Sequence, residues 1–116
     1  SKQPIPLFWK GEQIRDFIYI DDLAQAHVLA LNLNGLHIYN VGTETGVKVI
    51  DVVNKIFQIV GYKVPIDDKG ERKGDVPALV ASAEKIKKEL GWSAKVSLDE
   101  GLRKTIAFYR SRLSSI

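Results

Sequence analysis

The chain has 116 residues, with 17 Lys/Arg against 14 Asp/Glu, a formal net charge of +3 and no cysteine. That length is one domain or part of one, and it can bury roughly two-thirds of its unfolded surface. A disulfide, a thiolate nucleophile and a Cys-based metal site are excluded, and no apolar run approaches the roughly 20 residues of a membrane span.

The expectation is therefore a cytoplasmic protein with no membrane contact. No secretory signal pattern opens the chain, and Ser1 as first residue suggests a trimmed or processed terminus. Charge is uneven: residues 1–82 balance to −1 and residues 83–116 to +4. The basic end reads as a solvated helix surface, because Glu84, Glu89, Asp99 and Glu100 are interleaved with its lysines. No aromatic stacking pattern accompanies them, so a nucleic-acid partner is not expected.

In chain order, Ile5–Phe8 reads as a short strand interrupted by Pro4 and Pro6, and Lys10–Gln13 as a turn. Asp16–Ile20 reads as a strand. Asp21 or Asp22 then caps a helix that runs to about Leu31. Asn34-Gly35 signals a turn, followed by a strand at His37–Val41. Ile50–Val60 is a helix with one polar stripe (Asp51, Asn54, Lys55, Gln58), stopped by Gly61. Lys63–Ile66 is a further strand, Asp67–Asp75 a polar loop and Leu79–Ala81 an extended segment. Ser82 caps a short helix to Leu90, stopped by Gly91. The run "SLDE" from Ser97 is a capping box. It opens a final helix whose Leu98, Leu102, Ile106, Tyr109 and Leu113 form one stripe.

This alternation of strands and helices predicts an α/β fold. The helix 22–31 shows only Gln25 and His27 as polar side chains after its first turn. A helix apolar nearly all round is buried on more than one side. Together with the short strand "HIYNV" it asks for more protein than this chain supplies, so the chain reads as a piece of a larger α/β protein.

Four stretches in register carry a resemblance: "GEQIRDFIYIDDLAQAHVLAL", "HIYNVGTETGVKVIDVV", "ERKGDVPALVASAEKIKKELGW" and "SLDEGLRKTI". Over essentially its whole length the chain resembles the C-terminal portion of the extended short-chain dehydrogenase/reductases. These are the NAD-dependent nucleotide-sugar epimerases and dehydratases, and the UDP-glucose 4-epimerases among them are the most similar. The resemblance implies that residues 1–116 are the C-terminal, substrate-binding part of a Rossmann-type enzyme whose N-terminal dinucleotide-binding domain is absent. Its mixed short strands and helices would bind a UDP-sugar. NAD would sit on the absent domain, with none expected on this chain. The full-length enzyme would be a homodimer.

The family's own machinery supports that division. No G-x-x-G-x-x-G fingerprint occurs, and "GTETG" reads as a loop between strand and helix. The family's catalytic Tyr-x-x-x-Lys is missing too, because Tyr19, Tyr39, Tyr62 and Tyr109 are followed four residues on by Leu23, Thr43, Ile66 and Leu113. This chain is thus expected to carry no catalytic residue and no metal site, and to be inactive alone. In the intact enzyme the resemblance implies that a tyrosinate takes the proton of the sugar 4-hydroxyl. Hydride then passes from C4 to NAD⁺ and returns to the other face once the keto sugar has turned.

A diphosphate suits planar, always-charged donors. Of the five arginines, Arg103, Arg110 and Arg112 lie on the final helix, whereas Arg15 precedes a strand and Arg72 sits in the loop "GERKGD". By resemblance, Arg15 and Arg72 match the family's phosphate-contacting arginines. Asp75 matches the carboxylate near the ribose hydroxyls. Pro6, Leu7 and Phe8 match the strand lining the uracil pocket, where Phe8 would give the base a wall. The alternative for Phe8 is a core aromatic. Trp9-Lys10 stands where the family usually has Gly-Asp, Glu71 where many members are basic, and Phe17 and Leu79 where tyrosine occurs. His27 and His37 read as packing or hydrogen-bonding residues, and Asn40 as a strand-end structural residue.

Other functions remain open from the sequence: a dehydratase or decarboxylase of the same family, a stand-alone nucleotide-binding module, or an interaction module. One further expectation concerns the surface. Without the N-terminal domain, Ala26, Leu29, Ala30 and the edge of "HIYNV" would lie uncovered and drive self-association.

Overall fold

The computed structural model describes residues 3–114. Five short strands and four helices alternate along the chain. They are β1 (Ile5–Leu7), β2 (Ile14–Arg15), α1 (Ile20–Ala30), β3 (Val47–Lys48), α2 (Val49–Val60), β4 (Ile66–Asp68), β5 (Ala78–Leu79), α3 (Glu84–Leu90) and α4 (Leu98–Ser114). A 3₁₀ turn, Trp9–Gly11, links β1 to β2. The α/β class and the mixed short sheets are as the sequence predicts.

Two sheets form. β1 pairs in parallel with β4, Ile5 opposite Ile66 and Leu7 opposite Asp68. β2 lies between β3 and β5, antiparallel to the first and parallel to the second. The two sheets leave two small cores. Leu7 packs with Val53 and Phe57 beneath α2, flanked by Ile5, Val49, Ile50 and Val64. Ala26, Ala83, Ile86 and Trp92 form the second core, between α1 and α3. Division of the apolar residues into two clusters goes with an open shape. The radius of gyration is 16.8 Å, against about 13 Å for a compact domain of this length. Among the described residues, no helix is long and apolar enough to cross a membrane.

The helices follow local signals. α2 buries Val52, Val53 and Phe57 and turns Asp51, Asn54 and Gln58 outward. It ends at Gly61 and α3 at Gly91, both in the left-handed region that glycine adopts without a Cβ clash. The Ser97 hydroxyl accepts the Glu100 N–H at 3.2 Å, which opens α4 as the capping box predicts. Of the α4 stripe, Leu98, Leu102 and Ile106 are half-buried, while Tyr109 and Leu113 stay exposed.

Several expectations need correction. Residues 16–20 do not form a strand: the ladder covers only Ile14–Arg15, and Asp16 is held by its side chain instead. Its carboxylate accepts the Thr43 and Glu44 N–H groups, each at 2.9 Å. Neither Asp21 nor Asp22 caps α1, whose N-cap is Tyr19 with no side-chain bond. Both stand in the first turn, where negative charge still suits the helix dipole. Asp22 is buried and accepts the Lys95 N–H at 3.1 Å and the Val96 N–H at 3.0 Å, while its carbonyl accepts Trp92 Nε1–H at 2.8 Å. Ser82 does not cap α3 either. The N-cap of α3 is Ala83, whose N–H donates at 3.0 Å to the carboxylate of Glu44, 39 residues away, which also pairs with Lys87. The strand expected at 63–66 forms at Ile66–Asp68, and the extended segment expected at 79–81 contributes a strand at Ala78–Leu79, each drawn into register by its partner.

The segment 37–41 runs without a ladder partner among the described residues. The uncovered apolar surface includes Ile38 of "HIYNV" as expected, but on α1 it falls on residues other than those the sequence pointed to. Ala26 is buried and Leu29 and Ala30 half-buried, whereas Ile20, Leu23, Val28 and Leu31 of α1 and its end are exposed, as are Leu36 and Ile38 beyond it.

Candidate functional site

β1 and the loop that follows β4 are joined along their backbones. The parallel ladder ends at Leu7 opposite Asp68, and two further bonds extend it: Lys69 N–H to Leu7 O at 2.8 Å and Trp9 N–H to Gly70 O at 2.7 Å. Phe8 and the loop 69–75 are thereby fixed side by side. The Arg72 guanidinium lies over the Phe8 ring, 5.5 Å from its centroid, a cation–π arrangement.

Alternation along β1 separates its residues. Leu7 faces inward and is buried against Val53 and Phe57, while Pro6 is exposed and Phe8 half-buried. Of the three residues expected to line a base pocket, Pro6 and Phe8 face outward and Leu7 belongs to the core.

Arg15 sits in the middle strand of its sheet, opposite Val47 on one side and Leu79 on the other. Its terminal nitrogens are pinned. Nη1–H donates to Ile14 O at 2.7 Å and Nη2–H to Asp75 Oδ1 at 2.5 Å. Both partners of this ion pair are roughly three-quarters buried, 22% and 23% exposed at the side chain. The same Asp75 oxygen accepts the Val76 N–H at 3.1 Å. A turn bond, Asp75 N–H to Arg72 O at 3.1 Å, ties the two ends of the site together. Phe8, Arg72, Asp75 and Arg15 thus form one chain of contacts across two sheets. The pair with Asp75 holds the Arg15 guanidinium in one orientation.

The neighbouring turn carries the departure from the family pattern. Trp9 and Lys10 have φ of 54° and 52°, in the left-handed region that glycine occupies most readily. Their turn borders a cleft of about 280 Å³ lined by Trp9, Lys10, Glu12, Asp68, Gly70 and Glu71.

A dinucleotide does not fit this chain's own residues. In the loop between Gly42 and Gly46, the Thr43 and Glu44 amides are taken by the Asp16 carboxylate, which also accepts the Thr43 hydroxyl at 2.5 Å, and the Thr45 amide donates to Thr43 Oγ1 at 3.2 Å. A carboxylate at that position excludes a phosphate. Among the described residues, the first turns of α1, α2, α3 and α4 each carry an acidic side chain, which disfavours a pyrophosphate at those helix ends. His27 Nδ1 and His37 Nε2 each meet a backbone carbonyl of their own segment, as expected of structural histidines. Asp16 and Glu44 were the organising side chains that sequence reasoning missed. Their partners lie 27 or more residues away, and the only local signal was an acidic residue beside Arg15.

The profile of the GDP-mannose 4,6 dehydratase family matches residues 1–105. The chain belongs to that family. Among curated relatives of this dehydratase-family chain, a bifunctional UDP-glucose 4-epimerase and UDP-xylose 4-epimerase of Arabidopsis thaliana is 41% identical over 99 residues. The match covers 80% of this chain and 28% of the relative. A UDP-glucose 4-epimerase of Thermotoga maritima, crystallised with UDP-glucose, superposes with a TM-score of 0.87 at 36% identity. It covers 95% of this chain and 36% of that one. A dTDP-glucose 4,6-dehydratase of Bacillus anthracis, crystallised with NAD, superposes at 0.82 with 25% identity, over 94% of this chain and 35% of its own. The dehydratase-family chain described here therefore spans about 28% of the length of the curated relatives it matches. Its fold is a small α/β piece of their extended Rossmann-type architecture.

Proposed function

We propose that this chain is the nucleotide-sugar-binding part of an NAD-dependent UDP-sugar 4-epimerase. Arg15 and Arg72 hold the diphosphate, Asp75 a ribose hydroxyl, and Phe8 with Pro6 flanks the base. The observation that carries this reading is the continuous contact chain from Phe8 through Arg72 and Asp75 to Arg15. It brings together an aromatic wall, two cations and a carboxylate, the side-chain types that suit the base, the diphosphate and the ribose of a nucleoside diphosphate.

The two arginines differ in a useful way. Arg15 is pinned by Ile14 O and Asp75, so little side-chain freedom is lost when it takes an anion. Only one oxygen of Asp75 is engaged by the contacts described, and the other faces no partner among the described residues. That oxygen is assigned to the ribose. Holding the nucleotide while leaving the sugar unclamped suits a reaction in which the sugar must turn over. Proton and hydride transfer, and NAD itself, are assigned to the remainder of a longer parent, which in this reading is cytoplasmic and homodimeric.

A second reading is a dehydratase of the same family, favoured by the family profile and by the structural likeness to the dTDP-glucose 4,6-dehydratase. Either reading uses the same anchor. In a parent carrying this segment, Arg72→Ala and Arg15→Ala each weaken UDP-glucose binding by about ten- to hundred-fold, the worth of one charge-assisted hydrogen bond. An unchanged Kd counts against the anchor. Measurable NAD affinity of the 116-residue chain alone, read by calorimetry, counts against the assignment of NAD elsewhere.

A further inference from the structure

We propose that Arg72 is a latch on the base site: in the free chain its guanidinium closes the face of Phe8, and a diphosphate opens that face by drawing the guanidinium away. The proposal rests on the reading above, in which Arg72 serves the diphosphate and Phe8 the base.

The contacts of Arg72 carry it. Arg72 has carboxylates beside it at Glu71 and Asp75, yet it forms no ion pair among the described residues. Asp75 Oδ1 is engaged by Arg15 and the Val76 N–H, and the Arg72 guanidinium rests on the Phe8 ring, 5.5 Å from the centroid. The side chain is exposed and its loop is bracketed by Gly70 and Gly74, both at positive φ with nothing within 4 Å of an added Cβ.

Geometry makes the contact exclusive. In this proposal the base stacks on the face of Phe8 that the guanidinium covers. Base and guanidinium cannot both stack there. An exposed cation–π contact is weak, so the closed state is favoured only about two- to five-fold. A charge-assisted bond to phosphate is stronger and displaces it readily. Diphosphate and base then bind with positive coupling, because the first removes an obstacle to the second.

Titration of the 116-residue chain with uridine, with inorganic pyrophosphate and with both, followed by NMR, reads this directly. Saturating pyrophosphate is expected to raise the affinity for uridine about two- to five-fold. Arg72→Ala is expected to lose pyrophosphate affinity, to bind uridine about two- to five-fold more tightly on its own, and to show no coupling. If Arg72→Ala loses pyrophosphate affinity while uridine affinity and coupling stay flat, the latch is overturned and the diphosphate role stands. If Arg72→Ala binds pyrophosphate as the unsubstituted chain does, the diphosphate role fails and the latch with it. In the free chain the Arg72 Nε–H resonance is expected upfield under the Phe8 ring current. It should return on Phe8→Leu, which keeps an apolar side chain, and on addition of pyrophosphate. A resonance that Phe8→Leu leaves unmoved contradicts the closed state.

Discussion

The buried carboxylate of Asp22 accepts the backbone N–H of Val96 at 3.0 Å, joining the first turn of α1 to a segment 74 residues later. Lys95 N–H donates to the other carboxylate oxygen. Asp22→Ala leaves two part-buried donors without a partner, each costing about 1–3 kcal/mol. Chemical denaturation is expected to show a loss of about 2–5 kcal/mol. Asp22→Asn, which keeps one acceptor oxygen, should lose less.

Glu44 predicts a pH response. The Lys87 ammonium, and after it the Ala83 N–H, hold its carboxyl below the ordinary glutamate value of 4.5. A carboxyl depressed in the folded state contributes stability that is complete above the unfolded value and is lost as pH falls through the folded one. Asp99, held down chiefly by Lys55, adds in the same sense. Thermal stability is expected to fall on the acid side of pH 4.5, and the Ala83 amide shift to titrate there. Glu44→Gln should remove the Ala83 inflection.

Lys10 is exposed and left-handed, with φ of 52°. A side chain costs about 1–2 kcal/mol in that region, part of which glycine gives back through its freer unfolded chain. Lys10→Gly is therefore expected to stabilise the chain by about 0.5–1 kcal/mol, read as a raised Tm.

What the sequence made legible was local. The stripe of α2, the glycines that end α2 and α3, and the Ser97 capping box depend on residues within one or two turns, and they stand where periodicity and capping put them. The strands were displaced because ladders of two or three residues carry no periodic signal, and their register is set by partners such as Leu79 opposite Arg15. Asp22 looked like a cap because its true partners lie more than 70 residues away. Of the candidate site, Arg15, Arg72, Asp75 and Phe8 are proposed from the motifs they stand in. The Arg15–Asp75 pair and the Arg72–Phe8 contact could not be read from those motifs, because each joins residues 60 or more positions apart.

The exposed apolar surface predicts association. Ile20, Leu31, Leu36 and Ile38 are 69%, 79%, 89% and 71% exposed, and the segment 37–41 has no ladder partner among the described residues, although the Ile38 carbonyl accepts the Lys85 ammonium at 2.9 Å. Contiguous apolar patches and open strand edges find partners. Analytical ultracentrifugation is expected to show concentration-dependent self-association, reduced by Leu31→Glu with Ile38→Glu. A clean monomer at high concentration that binds no hydrophobic dye would mean that the chain covers its own core.

The anchor itself is tested most directly by mapping UDP onto the 116-residue chain with NMR chemical shifts. The account predicts saturable shifts at Phe8, Arg15, Arg72 and Asp75, with one Kd for all four and a loss of the response in Arg15→Ala and Arg72→Ala. Shifts confined to the basic residues of α4 and abolished by moderate salt would contradict it, because they would report unspecific attraction to a charged helix.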